Sequence, residues 1–237
     1  MHFKKIIYDT QYPDKNNQLH FFSETNQNDE SLTLMTEGEI VEWLFKDSSF
    51  TQLFYEDFFL NPRNVNPYFG IKEPFTKQGK KPGDIDLLLV DPDFPEQTIV
   101  FECKRVKALS MNKQSPKVNG VKNVKKGIVQ AEFYKNLGFH QCYLMIILLD
   151  DGRYYETPNV MFRITDVEYL SNLYNIPREL LLNEDIGIIF VKVEQTSGKH
   201  IKLSGGYGFC IDRHAKHFDQ SDLVTNNVKE LIKIERA

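Results

Sequence analysis

GDIDLLLVDPDFPEQTIVFECKRVK, residues 83–107, decides how this chain folds and where its chemistry lies. It reads as two strands, 84–91 and 98–104, joined by a turn at Asp91-Pro92-Asp93-Phe94-Pro95. Side chains alternate across a strand, so Asp84, Asp86, Leu88 and Val90 share one face of the first. Thr98, Val100, Glu102 and Lys104 share one face of the second, and Phe101 and Cys103 make the opposite face apolar. Asp84, Asp86, Glu102 and Lys104 therefore project from strands that otherwise read as core. Uncompensated buried charge costs several kcal/mol, on the order of a whole side chain's burial, so such groups pair or hold a cation. Mg²⁺ suits them, because it takes one or two carboxylates and keeps room for water and phosphate oxygens. A structural Glu102–Lys104 ion pair is the plain alternative.

Outward from this segment, the pattern is that of one α/β domain over residues 1–237. Thr36-Glu37-Gly38-Glu39 opens a helical pattern with Ile40, Trp43 and Leu44 on one side. Tyr68 to Phe75 reads as a strand, and the turn KQGKKPG (77–83) joins it to 84–91 in an antiparallel meander that ends with 98–104. A long connection from Lys107 to Asn119 leads to a helix from about 122 to 137, ended by Gly138. Cys142–Leu149 is a continuous apolar run, the mark of a strand buried on both faces. Asp166–Leu182 is expected as a helix broken at Pro177, Ile186–Val193 as a strand, Tyr207–Ile211 as an edge strand and Asp219–Ile234 as an amphipathic helix. The expected core is a mixed central β-sheet flanked by helices, in the order αβββαβ, over roughly residues 36–150. Residues 151–237 are expected as accessory strands and helix packed on that core, and the polar stretch Asp14–Glu30 as a loop.

At these residues the chain resembles the PD-(D/E)xK nuclease superfamily. Asp86 stands where that family has its metal-binding aspartate, and Glu102-Cys103-Lys104 where it has E-x-K. The GDID lead-in is similar to the RecB-like and Holliday-junction-resolvase-like branches, and Gln130-Ala131-Glu132-Phe133-Tyr134 to the QxxxY element of the former. The resemblance implies a restriction-endonuclease-like core and a nuclease that hydrolyses DNA phosphodiesters by metal-activated water, with Mg²⁺ or Mn²⁺ as cofactor. It implies Asp86 and Glu102 as metal ligands and Lys104 as the catalytic lysine. Asp84 duplicates the acid, but Asp86 continues directly into the apolar run and is preferred. The family draws a further acid from its first helix. Glu39 is the candidate as a third metal ligand and catalytic acid, with Glu42 a turn on and Glu73 as a weaker choice. Thr36-x-x-Glu39 is equally a capping box, and the two readings stand side by side.

Composition limits the other classes. From Cys103 to Ala131 there are eight Lys/Arg and no acid, so removing those charges from the net −4 leaves −12. Such a localised field guides polyanions to one face. Lys122, Lys125 and Lys126 are therefore expected to face a polyanion, which the resemblance makes DNA, and the resemblance adds Gln130 and Tyr134 on the same helix. The plain alternative is a solvated surface. Apolar residues are 41% and charged residues 26%, as in ordinary globular chains. The longest apolar run is too short for a bilayer, and MHFKKIIYDT lacks an apolar signal region, so a cytoplasmic protein with no membrane partner is expected. Three scattered cysteines argue against a disulfide scaffold. A homodimer or a partner protein leaves no trace in the sequence.

Three weaker patterns have plainer readings. Cys210, Asp212, His214, His217 and Asp219 match no closed zinc spacing. Ser204-Gly205-Gly206-Tyr207-Gly208 lacks the lysine of a phosphate loop. Phe54, Tyr55, Phe58 and Phe59 read as core or a packed helix face. The runner-up function is a nucleic-acid-binding module on the same fold without activity.

Overall fold

The computed structural model describes residues 5–6, 34–58, 60–61, 63–72, 75, 84–109, 117–151, 167–195, 201–202 and 208–235. The expected loop at 14–30, the turn at 77–83, Glu73, Phe59 and positions 204–207 lie outside the described residues.

The elements, in order, are β1 (Lys5–Ile6), α1 (Glu37–Lys46), α2 (Ser48–Asp57), β2 (Asn66–Ile71), β3 (Ile85–Val90), a 3₁₀ turn (Pro95–Gln97), β4 (Ile99–Leu109), β5 (Lys117–Asn119), α3 (Val121–Leu137), β6 (Gln141–Asp151), α4 (Val167–Glu179), β7 (Gly187–Gln195), β8 (Ile201–Lys202), β9 (Gly208–Arg213) and α5 (Asp222–Glu235). The strands form one mixed sheet in the order β1-β9-β7-β6-β4-β3-β2, with β5 beside β4 and β8 beside β7. β2, β3 and β4 make the expected antiparallel meander. β4, β6 and β7 run parallel, and β9 returns antiparallel on β7.

Helices cover both faces. Val124, Ile128, Ala131 and Tyr134 of α3 pack on one side with Leu173 and Ile176 of α4 and Val224 and Val228 of α5. Ile40, Val41, Leu44 and Phe45 of α1 and Phe50, Phe54 and Tyr55 of α2 pack on the other. This explains why Gln141 to Leu149 is buried without a break: β6 lies between parallel neighbours with an apolar layer above and below it. Phe58 meets Phe101 and Tyr143 edge-on at 5.9 and 5.1 Å between ring centres, so these aromatics are core.

Local sequence sets the boundaries. Asp47 ends α1 and begins α2, its carboxylate accepting the Phe50 N–H at 2.8 Å. Gly138 ends α3 at φ +88°. α4 runs through Pro177 instead of breaking there, because the proline falls in the last turn, where the helix is about to end. β4 extends well past Lys104, since β5 and β6 pair with its second half. β7 and β9 extend the central sheet itself, and β9 has β1 on its outer side. Among the described residues, no helix is long and apolar enough to cross a membrane.

Candidate active site at the opening between two strands

β3 and β4 are paired from Leu89–Ile99 to Leu87–Phe101, and there the ladder ends. Alternate N–H groups of a strand point to the same side, so Cys103 and Arg105 offer the next donors toward the vacated position. Both donors are taken by side chains. Cys103 N–H donates to Asp86 Oδ2 at 2.7 Å, and Arg105 N–H donates to Glu37 Oε2 at 2.5 Å. Two carboxylates thus stand in for the missing strand, and the opening between β3 and β4 is lined with acid.

Lys104 projects into the middle of this group. Its ammonium touches Oε1 of Glu102 in an ion pair, lies 3.2 Å from Glu37 Oε1 and 3.6 Å from Asp86 Oδ2, and donates to the Cys103 carbonyl at 2.6 Å. The Glu102 side chain is fully buried, and neither of its oxygens accepts a well-aligned hydrogen bond. Three carboxylates face one ammonium, and the electrostatics follow from that surplus. Burial pushes the Asp86 carboxyl up to about 6, against the pull of Lys104. Burial, and then the charge of Asp86, pushes Glu102 up to about 8. Burial pulls the Lys104 ammonium down, but Glu102, Asp86 and Glu37 outweigh it and hold it above its usual range. Lys104 is therefore charged, and the acids share more negative charge than it neutralises.

Two residues of α3 shape the site from above. A Cβ on Gly127 would fall 2.6 Å from Lys104 Cγ and 3.0 Å from Leu144 Cδ1, so the bare glycine is the space through which the lysine stem passes. Glycine inside a helix costs about 1 kcal/mol relative to alanine, and here the close approach is what requires it. Tyr134 is buried, and its hydroxyl donates to the Asp84 carbonyl at 3.1 Å, fixing the start of β3. Burial, and next the neighbouring Glu102 carboxylate, raise the phenol well above its usual range.

Asp86, Glu102 and Lys104 meet as the sequence pattern expects. Asp84 does not join them; it is exposed, and its carboxylate pairs with Lys72 at 3.6 Å. Glu39 is corrected. Its carboxylate accepts the Thr36 N–H at 2.8 Å and the Thr36 hydroxyl at 3.0 Å, and the Glu39 N–H donates back to Thr36 Oγ1 in a complete capping box. The acid that α1 sends to the site is Glu37, at its first position. The capping box occupies the third helical residue and leaves the first to point elsewhere. Tyr134, expected to face DNA, is buried, with its hydroxyl on the Asp84 carbonyl. Lys122, Lys125 and Lys126 are exposed on α3, and Gln130 is half-buried there. Cys103 packs in the apolar layer opposite α3, and burial raises its thiol far above the usual range.

The donor set suits a hard divalent cation, because a half-buried carboxylate, Asp86, and a fully buried one, Glu102, both reach the Lys104 ammonium and offer oxygen-only chemistry with surplus charge. Among the described residues, however, no group of three or more His, Cys, Asp or Glu is arranged around a metal position. The three acids converge on the Lys104 ammonium.

No family model matches the chain, and no curated protein matches it. Among solved structures, one match is to SfsA from Pyrococcus furiosus in complex with Ca²⁺, at 16% identity and a TM-score of 0.29. The match spans 74% of this chain and 64% of that one. At this TM-score it carries no argument about fold or activity.

Proposed function

We propose that this chain is a Mg²⁺- or Mn²⁺-dependent nuclease that hydrolyses DNA phosphodiester bonds, built on a restriction-endonuclease-like core. The observation that carries this reading is Glu102: a fully buried carboxylate, beside Asp86 and Lys104, at the point where two core strands separate. Groups placed at such expense, with Asp86 and Glu102 pushed up to about 6 and 8, are characteristic of functional sites. Asp86 and Glu102 would hold the ion, which when bound polarises phosphoryl oxygens and lowers the pKa of water.

The chain's own residues supply the rest. The Lys104 ammonium neutralises charge that develops on a phosphate, and its stem is kept in line by the Gly127 space. The Cys103 N–H holds Asp86 in orientation, and the Arg105 N–H does the same for Glu37. Tyr134 anchors the backbone at Asp84, two residues before Asp86. Lys122, Lys125 and Lys126, on the outer face of α3, are where a DNA backbone would be held against an otherwise acidic chain.

A second reading, an inactive nucleic-acid-binding module, is favoured by one observation: Lys104 already sits among all three acids. A substrate panel separates the two. Linear, supercoiled, branched and single-stranded DNA, with RNA beside them, are incubated with Mg²⁺, Mn²⁺ or EDTA. Metal-dependent cleavage of DNA supports the nuclease. Salt-sensitive binding in EDTA with no cleavage under any metal supports the module.

A further inference from the structure

His140, just before β6, and His217, in the segment leading to α5, are brought together across the chain. His217 Nδ1 lies 3.1 Å from His140 Nε2, with the rings nearly perpendicular at 80° and their centres 5.1 Å apart. On its other side, His140 Nδ1 lies 2.6 Å from the Phe218 carbonyl. A carbonyl only accepts, so Nδ1 carries the proton of His140 and Nε2 presents a lone pair. His217 Nε2 lies 3.3 Å from Gln141 Nε2, which donates to it. Protons therefore run one way along the chain: Gln141 to His217, His217 to His140, His140 to the Phe218 carbonyl. A backbone carbonyl that fixes one ring nitrogen and frees the other is the usual outer support of a metal-bound histidine.

We infer that His140 Nε2 and His217 Nδ1 form a site for a borderline divalent transition-metal ion of the Zn²⁺ class, separate from the carboxylate site. Zn–N bonds of about 2.0–2.1 Å, at angles from a right angle to tetrahedral, place two ligand nitrogens about 2.9–3.4 Å apart. The observed 3.1 Å falls within that interval. Binding moves the His217 proton from Nδ1 to Nε2, which at this exposed position donates it in a hydrogen bond to water, while the Gln141 amide nitrogen stays on the Ala215 carbonyl and the Tyr143 hydroxyl. Both rings stay neutral, so no proton leaves. The described residues complete no group of three His, Cys, Asp or Glu, so water fills the remaining positions and the site stays open.

The ion joins two parts of the fold that the segment before α5 already links. Ser221 N–H donates to the Gly138 carbonyl at 2.8 Å, and the Gln220 amide oxygen accepts the Thr98 N–H at 3.2 Å. A bound ion fastens this segment to the start of β6. The imidazole pair is unrelated to Asp86 and Glu102, so the inference stands or falls independently of the nuclease reading.

The test uses the full chain in millimolar Mg²⁺, titrated with Zn²⁺ by equilibrium dialysis and with Co²⁺ by visible absorption. Wild type binds one equivalent through these rings. His140→Ala and His217→Ala each weaken that binding by at least about tenfold and abolish the Co²⁺ bands. His214→Ala leaves both unchanged. His217→Gln keeps a hydrogen-bonding amide at an exposed position, so its metal-free melting temperature matches wild type while its Zn²⁺ affinity falls. Unchanged Zn²⁺ affinity in the folded His217 variants, or no Zn²⁺ binding by wild type, overturns the inference.

Discussion

Asp86 accepts the backbone N–H of Cys103 at 2.7 Å, at the position where β3 would have continued its ladder with β4. The bond converts the end of a strand pair into a site. It holds a carboxylate inside the sheet, turns it toward Lys104, and leaves Glu102 buried behind it.

That arrangement has a pH signature. Burial raises the folded-state values of Asp86 and Glu102 to about 6 and 8, so the folded chain binds these protons more tightly than the unfolded chain. The stability they contribute is fully present below the ordinary carboxylate range, and is lost as pH rises through about 6 and then about 8. In EDTA, the melting temperature of the wild type therefore falls across this window. Glu102→Gln, which is neutral at every pH, falls less steeply and melts higher at pH 9. Each kcal/mol corresponds to about 2–4 °C in a chain of this size. Parallel melting curves for the two proteins from pH 5 to pH 9 contradict the assignment.

Gly127→Ala tests the passage of Lys104 under α3. The new methyl collides with Lys104 Cγ and Leu144, and overpacking of this kind costs about 1–3 kcal/mol. Helix propensity returns about 1 kcal/mol of that. The variant is expected to melt within a few degrees of wild type and to lose most cleavage, because the ammonium is displaced. Full cleavage by Gly127→Ala removes the glycine from the account.

Much of this was legible in residues 83–107 and little of it elsewhere. Asp86, Glu102 and Lys104 are near in sequence and lie on neighbouring strands, so alternation alone places them on one face. Glu37 was obscured by Glu39, because both lie in the first turn of α1 and only the hydrogen bonds to Thr36 separate them. Tyr134 looked like a binding residue because helical spacing gives a face without saying whether that face looks inward. The His140–His217 pair had no local signal at all: 77 residues separate the two rings, and only the return of the chain to the start of β6 brings them together.

A stability prediction comes from the end of α4. Leu181 has φ +55° and is 84% exposed, so it carries the strain of a left-handed side chain with little packing in return. Leu181→Gly relieves the clash that makes this conformation costly and suits the position after a helix end. Stability is expected to rise by about 0.5–1 kcal/mol, after allowing for the greater freedom of glycine when unfolded. A denaturant midpoint at or below the wild-type value would show that Leu181 makes compensating contacts.

Lys122, Lys125 and Lys126 test the nucleic-acid surface. All three are exposed on one helix, so changing them together to Gln leaves the core untouched. Duplex binding is expected to weaken regardless of sequence, and the slope of log K against log salt to flatten by up to about 2.7, or 0.9 per lost phosphate contact. An unchanged affinity and slope would make these lysines solvated surface and move the DNA path elsewhere.

The most direct measurement compares nicking of supercoiled plasmid at pH 8 in Mn²⁺ by wild type, Glu102→Gln and Lys104→Ala, purified in parallel and shown to be folded. Wild type is predicted to cleave with metal and not with EDTA, and both variants to be slower by at least about a hundredfold, as expected when a metal ligand or a charge-stabilising group is lost. Cleavage by both variants at the wild-type rate would contradict the account, because Glu102 and Lys104 would then be a buried ion pair and the chemistry would belong to other residues.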